Sequence, residues 1–212
     1  IILDSTRQMF VELENHPRDS KIDLGIGIYR DENGLAPVFK AVKKAEKILF
    51  ENELSKSYKT PSGNGEYCKN ILDLVLGKNI LRERADKIGC IQIPGAGSGL
   101  RIAGELIKNN SKNKTISIPD PTWGQQTFMF QRAGLKITKH TYYDQINNFL
   151  DFDSMLDGLN KLKSGDALLL HGCCHNPTGA DLSEDQWEQV AHICLKKGIL
   201  PFIDLVYQGL GK

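Results

Sequence analysis

The sequence contains no apolar run approaching the ~20 residues needed to cross a bilayer as a helix, and its opening Ile-Ile-Leu is too short for the core of a signal peptide. An excess of charge is also missing. Lys+Arg number 27 against 26 Asp+Glu, a net charge of +1, so a nucleic-acid or anionic-membrane partner has no electrostatic footprint. There is no C-x-x-C pair: Cys68, Cys90, Cys173, Cys174 and Cys194 form an odd, scattered set. This pattern reads as free thiols in a reducing compartment rather than a disulfide framework, and a soluble cytoplasmic protein is expected. Repeats, charged tails and low-complexity linkers are lacking as well.

What is present is an ordinary globular balance, 40% hydrophobic and 25% charged residues over 212 positions. That length suffices for one sizeable core, or for one large domain and part of another. Residue 1 is Ile and the sequence stops in Gly209-Leu210-Gly211-Lys212, so it reads as a piece of something longer.

From residue 88 onward, strand and helix patterns alternate. Val38 to Leu54 has apolar residues at helical spacing with Pro37 in a first-turn position, and Glu66 to Leu76 is a second helix stopped by Gly77. Ile88 to Ile93 reads as a strand, then a helix over Leu100 to Lys108, a strand at Thr115 to Ile118 and a helix from Trp123 to Arg132. A strand at Lys136 to Tyr142, a helix at Asp153 to Leu162 and a wholly apolar strand at Ala167 to Leu170 follow. Ser183 with Gln186 makes a capping box, opening a helix that Gly198 ends, and Ile199 to Asp204 is the last strand. The alternation predicts βαβ units: an α/β, three-layer fold around a mostly parallel sheet. Ligands of such sheets collect beyond the carboxyl ends of the strands.

Four turns lie at those ends. In Pro94-Gly95-Ala96-Gly97-Ser98-Gly99, small residues between strand and helix admit an anion to backbone N–H groups at a helix N-terminus. The other reading is a tight turn without a ligand. It is not a dinucleotide fingerprint, because Leu100 occupies the third glycine position, and no Gly-Lys-Ser/Thr makes it a P-loop. Pro119-Asp120-Pro121-Thr122-Trp123 places an indole at a helix start, either as a plate for a flat ring or as packing. His171-Gly172-Cys173-Cys174-His175-Asn176-Pro177-Thr178-Gly179 gathers two His and two Cys, which raises zinc as an alternative function for the domain. Adjacent Cys173 and Cys174 should, however, project to opposite sides of an extended chain. Finally, Asp204 ends an apolar strand and Tyr207 follows three positions later.

Taken together, these turns describe a pocket for pyridoxal phosphate, and the chain resembles the fold-type I aminotransferases of the aspartate/aromatic subgroup. The likeness rests on Asp23-Leu24-Gly25-Ile26-Gly27-Ile28-Tyr29-Arg30-Asp31, Asn176-Pro177-Thr178-Gly179 and Asp204-Leu205-Val206-Tyr207-Gln208-Gly209, in order and spacing. The resemblance implies that Asp204 pairs with the protonated ring nitrogen of pyridoxal phosphate and keeps the ring an electron sink. It also implies that Tyr207 and Asn176 bond its phenolic oxygen, that Trp123 stacks on the ring, and that Ala96, Gly97 and Ser98 hold the phosphate. Tyr58 corresponds to a tyrosine that reaches the phosphate of a neighbouring subunit, which implies a homodimer. Gly27 corresponds to the contact with the substrate α-carboxylate, joined there by Trp123 and Asn176, and His171 to a histidine behind the cofactor.

The expected reaction is amino transfer from aspartate or glutamate to a 2-oxo acid, with an aromatic or broad-specificity enzyme as the alternative. Residues 1–37 are expected to belong to a small domain and 38–212 to an incomplete large domain, its open edge and one apolar face uncovered. Two departures from the family stand out: the hydroxyl residue of the phosphate turn comes one place late, at Ser98, and Gln126 replaces a histidine. The family's Schiff-base lysine and carboxylate-clamping arginine fall beyond residue 212, so this polypeptide alone is expected not to transaminate.

Overall fold

The computed structural model describes residues 11–17, 27–58 and 60–211. Contacts divide the chain into two units, residues 1–58 and 59–212. The Asp23–Ile26 part of the first motif lies outside the described residues.

In the first unit, the Asp31 carboxylate accepts hydrogen bonds from the Asn33 and Leu35 N–H groups and folds a tight turn. Helix α1 spans Lys40–Asn52 with Phe39 as its N-cap. Pro37 therefore precedes the helix instead of standing in its first turn. Gly27 and Tyr58, both of this unit, are exposed within it.

The second unit carries the sheet. Helix α2 spans Gly65–Arg84, and the Asn64 side chain caps it by accepting from the Glu66 and Tyr67 N–H groups. Gly77 interrupts the helical dihedrals at φ 75°, ψ 154°, but the chain resumes helix beyond it, so the glycine kinks the element without ending it. Residues 88–93 form no ladder, although they read as a strand: no neighbouring strand among the described residues offers partners, and Ile91 is exposed.

The remaining elements are helix α3 (Ala96–Asn110), strand β1 (Thr115–Asp120), helix α4 (Gly124–Arg132), strand β2 (Lys136–Thr141), a short hairpin of β3 (Tyr143–Asp144) with β4 (Phe149–Leu150), helix α5 (Phe152–Asn160), strand β5 (Ala167–His171), helix α6 (Glu184–Lys197) and strand β6 (Leu200–Asp204). The predicted capping box is formed at Ser183 and Gln186, and Gly198 takes the left-handed conformation that closes α6. The hairpin escapes a reading by hydrophobic period because its strands are two residues long. Its turn is held by Asp144, which accepts from the Ile146 and Asn147 backbone and the Asn147 side chain, bonds that lower its pKa.

The four longer strands run parallel in the order β2-β1-β5-β6. Alternation of side chains across a strand builds a core on each face. Ile116, Ile118 and Leu169 pack with Leu100, Ile107 and Phe130 of α3 and α4. Leu168 and Leu170 pack on the other face with Met155, Leu159 and Val190 of α5 and α6. The result is the expected three-layer α/β architecture. On strand β6, Leu200 and Ile203 are half exposed, as expected for an outer strand of an open sheet.

Strand order reverses between β1 and β5. The chain leaves β1 for α4 on one face and leaves β5 for α6 on the other, which opens a crevice at the carboxyl ends. Register sharpens this opening: β1 and β2 share six registered pairs and β5 and β6 share five, whereas β1 and β5 share only Ile116↔Ala167 and Ser117↔Leu168 at their amino ends.

Candidate active site

Gln126 occupies the gap where β1 and β5 stop pairing. It sits in the first turn of α4, its N–H bonded to the Trp123 carbonyl, and is 1% exposed. A buried primary amide has two N–H donors and an acceptor oxygen that call for partners, and here neighbours satisfy the oxygen and one of the donors. Its Oε1 accepts from the Thr122 hydroxyl at 2.5 Å and from the His171 ring at 3.1 Å, while its Nε2 donates to Asp204 Oδ2 at 2.6 Å.

The His171 tautomer follows from its other nitrogen. The Asn176 N–H donates to His171 Nδ1 at 3.0 Å, so a neutral ring carries its proton on Nε2. That nitrogen also lies 2.8 Å from Gln126 Nε2, but two donors make no bond, and the proton is directed to the Gln126 oxygen. Burial lowers the His171 pKa against the opposing pull of Asp204 and Asp181, which keeps the ring neutral. His171 and Asp204 are registered partners at the ends of β5 and β6. Asp204 thus has one oxygen gripped from behind, and among the described residues no protein donor reaches Oδ1.

A second layer supports His171. His175, 1% exposed, stacks between the rings of His171, 4.4 Å away, and Tyr142, 3.9 Å away. Its Nδ1 pairs with the Thr178 hydroxyl at 2.8 Å, and its Nε2 is buried without a partner. Burial, with His171 and His140 adding to it, brings its pKa down to about 3. The Tyr142 hydroxyl donates to the Ala180 carbonyl at 2.6 Å. Asp181 accepts from the backbone N–H groups of both Cys174 and His175, at 2.7 and 2.9 Å.

The other predicted residues fall as follows. Trp123 is the N-cap residue of α4 and packs, partly buried, against the core that α3 and α4 share. Asn176 and Tyr207 are half-buried, and among the described residues no protein group takes up the Asn176 side-chain amide. At the glycine turn, Gly95 is the N-cap of α3 at φ 89°, ψ 163°, a conformation that favours glycine, and no side chain caps the helix. The first-turn N–H groups of Ala96, Gly97 and Ser98 are therefore left without helical partners. The Ser98 hydroxyl donates to the Pro94 carbonyl at 3.3 Å. The turn joins the rest through α4, since a Cβ on Gly97 would touch Met129 at 3.5 Å.

Hydrogen bonds therefore bring Asp204, Gln126, His171 and the Asn176 backbone into one chain, with Trp123 one turn away. Cavities of about 560, 610 and 300 Å³ lie elsewhere, along β2 and α5, on α6, and between α6 and β6.

One alternative and one expectation about the His/Cys segment change. Among the described residues no three His, Cys, Asp or Glu side chains converge as metal ligands, and both ring faces of His175 are covered. Nor is the backbone extended through Cys173 and Cys174: Cys174 has φ 49°, which breaks the extended chain. Sequence reasoning missed Thr122, Tyr142, His175 and Asp181 as supporting residues. The signal for Thr122 was its i, i+4 spacing to Gln126.

A family model described as "Aminotransferase class I and II" matches residues 19–212. The chain belongs to this family. It is 40% identical over 195 residues to an aspartate aminotransferase of Escherichia coli K12, covering 92% of this chain and 49% of that protein. It is 42% identical over 200 residues to an aromatic-amino-acid aminotransferase of Pseudomonas aeruginosa, covering 93% and 49%. A crystal structure of the aromatic-amino-acid aminotransferase of Burkholderia pseudomallei, covalently bound to pyridoxal phosphate, superimposes with a TM-score of 0.93 at 32% identity over 100% of this chain and 53% of that one. The chain spans about half the length of these aminotransferases.

Proposed function

We propose that this chain forms the cofactor bed of a pyridoxal-phosphate-dependent aminotransferase that moves an amino group between an L-amino acid, aspartate or glutamate, and a 2-oxo acid. The observation that carries the reading is the Asp204 carboxylate, fixed on one oxygen by Gln126 and open on the other, at a sheet edge that also presents Asn176 and Tyr207. A fixed carboxylate with a free oxygen suits a protonated aromatic nitrogen, and unpaired N–H groups at a glycine-led helix start suit a phosphate dianion. When bound, the cofactor supplies an electron sink. Asp204 would keep its ring nitrogen protonated, and Trp123 would cover the ring. Asn176 and Tyr207 would donate to its phenolic oxygen, and the α3 N-terminus would hold its phosphate. Gly27 is assigned to the substrate carboxylate and Tyr58 to the phosphate of a second subunit in a homodimer.

Both aspartate and aromatic aminotransferases stand among the relatives, so the two substrate preferences remain the alternatives to separate. Titration of the chain with pyridoxal phosphate, followed by absorbance, tests the bed itself. Saturable binding that Asp204→Ala weakens at least tenfold is expected; binding indifferent to that substitution overturns the reading. Comparison of aspartate and phenylalanine as amino donors to the parent protein decides between the substrates.

A further inference from the structure

Helix α5 meets strand β2 at Gly158, where an added Cβ would lie 2.8 Å from His140 Cβ. Beside this contact is a cavity of about 560 Å³, walled by β2, α5 and the segments that lead into β1 and β5. Strands β2 and β6 stand at opposite ends of the sheet, and the cavity shares no residue with the proposed cofactor bed.

Its wall is strongly basic. Four lysines line it against one carboxylate, in a chain whose net charge is +1. Lys139 pairs with Asp120 at 3.1 Å, whereas Lys136, Lys161 and Lys163 form no ion pair among the described residues. The carboxylate, Asp166, has both oxygens engaged, by the Asn113 amide and the Lys163 N–H, each at 2.8 Å. Lys161 is the C-cap residue of α5 and complements that helix end, but Lys136 and Lys163 have no such counterpart.

A second observation points the same way. Thr138 and His140, two residues apart, share one face of β2 and line the cavity. Thr138 Oγ1 and His140 Nε2 are both buried without a partner, and His140 is 2% exposed. Buried polar atoms call for partners, and here the protein supplies none. With the Ser117 hydroxyl donating to His140 Nδ1, at 2.9 Å, the ring proton sits on Nε2, so both unmatched groups are donors. A wall of donors and ammonium groups repels metal cations and suits a ligand that only accepts. Three unpaired ammonium groups match three or more negative charges, and a concave wall suits a small molecule.

We propose that the cavity between β2 and α5 binds a small oligophosphate, free or carried by a nucleotide. Lys136, Lys161 and Lys163 neutralise its charge, and the Thr138 and Ser154 hydroxyls donate to its oxygens.

The test is titration of the ¹⁵N-labelled chain with tripolyphosphate and, separately, with ATP, at about 0.15 M salt, where diffuse surface attraction is screened. One equivalent should bind per chain, with the amides of Lys136, Thr138, Ser154 and Lys163 shifting and saturating together. Lys161→Ala/Lys163→Ala should weaken binding at least about tenfold, while Lys69→Ala/Lys78→Ala, exposed on α2 and outside the cavity, should leave it unchanged. Thr138→Val keeps the shape and charge and should weaken binding about threefold or more. Equal affinity for both ligands supports a site that reads the phosphate chain alone, and tighter binding of ATP supports a nucleotide site. Absence of saturable binding, unchanged affinity in the lysine double variant of the cavity or in Thr138→Val, or an equal loss in the α2 variant overturns the proposal. So do shifts confined to Ala96, Gly97 and Ser98, which would place the oligophosphate in the cofactor bed. The wild-type shift map decides the matter if a variant does not fold.

Discussion

Gln126 donates to Asp204 Oδ2 at 2.6 Å while accepting from His171 and Thr122, so the carboxylate assigned to the cofactor is held by a neutral amide. Gln126→Leu removes the grip and keeps the bulk. A hydrogen bond to a charged group contributes about 1.5–3 kcal/mol, so pyridoxal-phosphate affinity should fall roughly tenfold to a hundredfold. Gln126→His, which can still donate, should fall less. Cofactor titrations of the two variants check this; equal loss in both would show that the amide merely fills space.

Two histidines set the acid side of the stability profile. His140, 2% exposed, pairs through Nδ1 with the Ser117 hydroxyl at 2.9 Å, and burial lowers its pKa to about 4 despite the attraction of Asp120. His175 is lowered to about 3. Both are neutral in the folded protein and take up protons near pH 6.5 once unfolded, so stability is complete above about 6.5 and is lost as pH falls toward the folded values. Each group contributes a slope of up to about 1.4 kcal/mol per pH unit within that window. Urea midpoints between pH 7.5 and pH 5 should therefore fall with acidity, and His140→Gln should flatten the dependence. A flat wild-type profile would contradict the burial of neutral rings.

Helices α3 and α4 touch at Gly104, where an added Cβ would lie 2.7 Å from Ala133 Cβ and 3.3 Å from Phe130. Gly104→Ala should destabilise the chain by about 1–3 kcal/mol through overpacking, even though alanine favours helix. Thermal unfolding measures the sign; an increase in Tm would mean that the two helices separate freely.

Ser183 accepts from the Gln186 N–H at 3.3 Å, and Gln186 returns a bond to the Ser183 N–H at 2.9 Å. Ser183→Ala should cost about 1 kcal/mol and leave cofactor affinity unchanged, since α6 caps the sheet away from Asp204. Thermal melts and a cofactor titration read the two effects separately.

What the sequence disclosed, and what it did not, follows from the range of each interaction. The α6 helix was legible to its ends because capping box and terminal glycine are local, and β5 because four apolar residues between turns fit only a buried strand. Residues 88–93 carry the same local signal, yet a strand exists only with a partner, which a local pattern does not contain. The positions of Asp204 and Asn176 at strand ends were legible; Gln126 was marked only by the resemblance, as standing where a histidine supports the Asp204 equivalent, because 78 residues separate it from Asp204 and no local pattern joins them. The backbone at Cys173–Cys174 was misread as extended because the Asp181 side chain, which accepts from the Cys174 and His175 N–H groups, accompanies a left-handed turn at Cys174 that local preference does not announce.

The most direct test of the account is a chemical-shift map of the ¹⁵N-labelled chain during titration with pyridoxal phosphate. The amides of Ala96, Gly97 and Ser98 should move together with those of Asn176 and Tyr207 and the Trp123 indole, all saturating at one ligand concentration. Shifts confined to the glycine turn, or separate saturation of the two groups, would contradict a single shared cofactor bed.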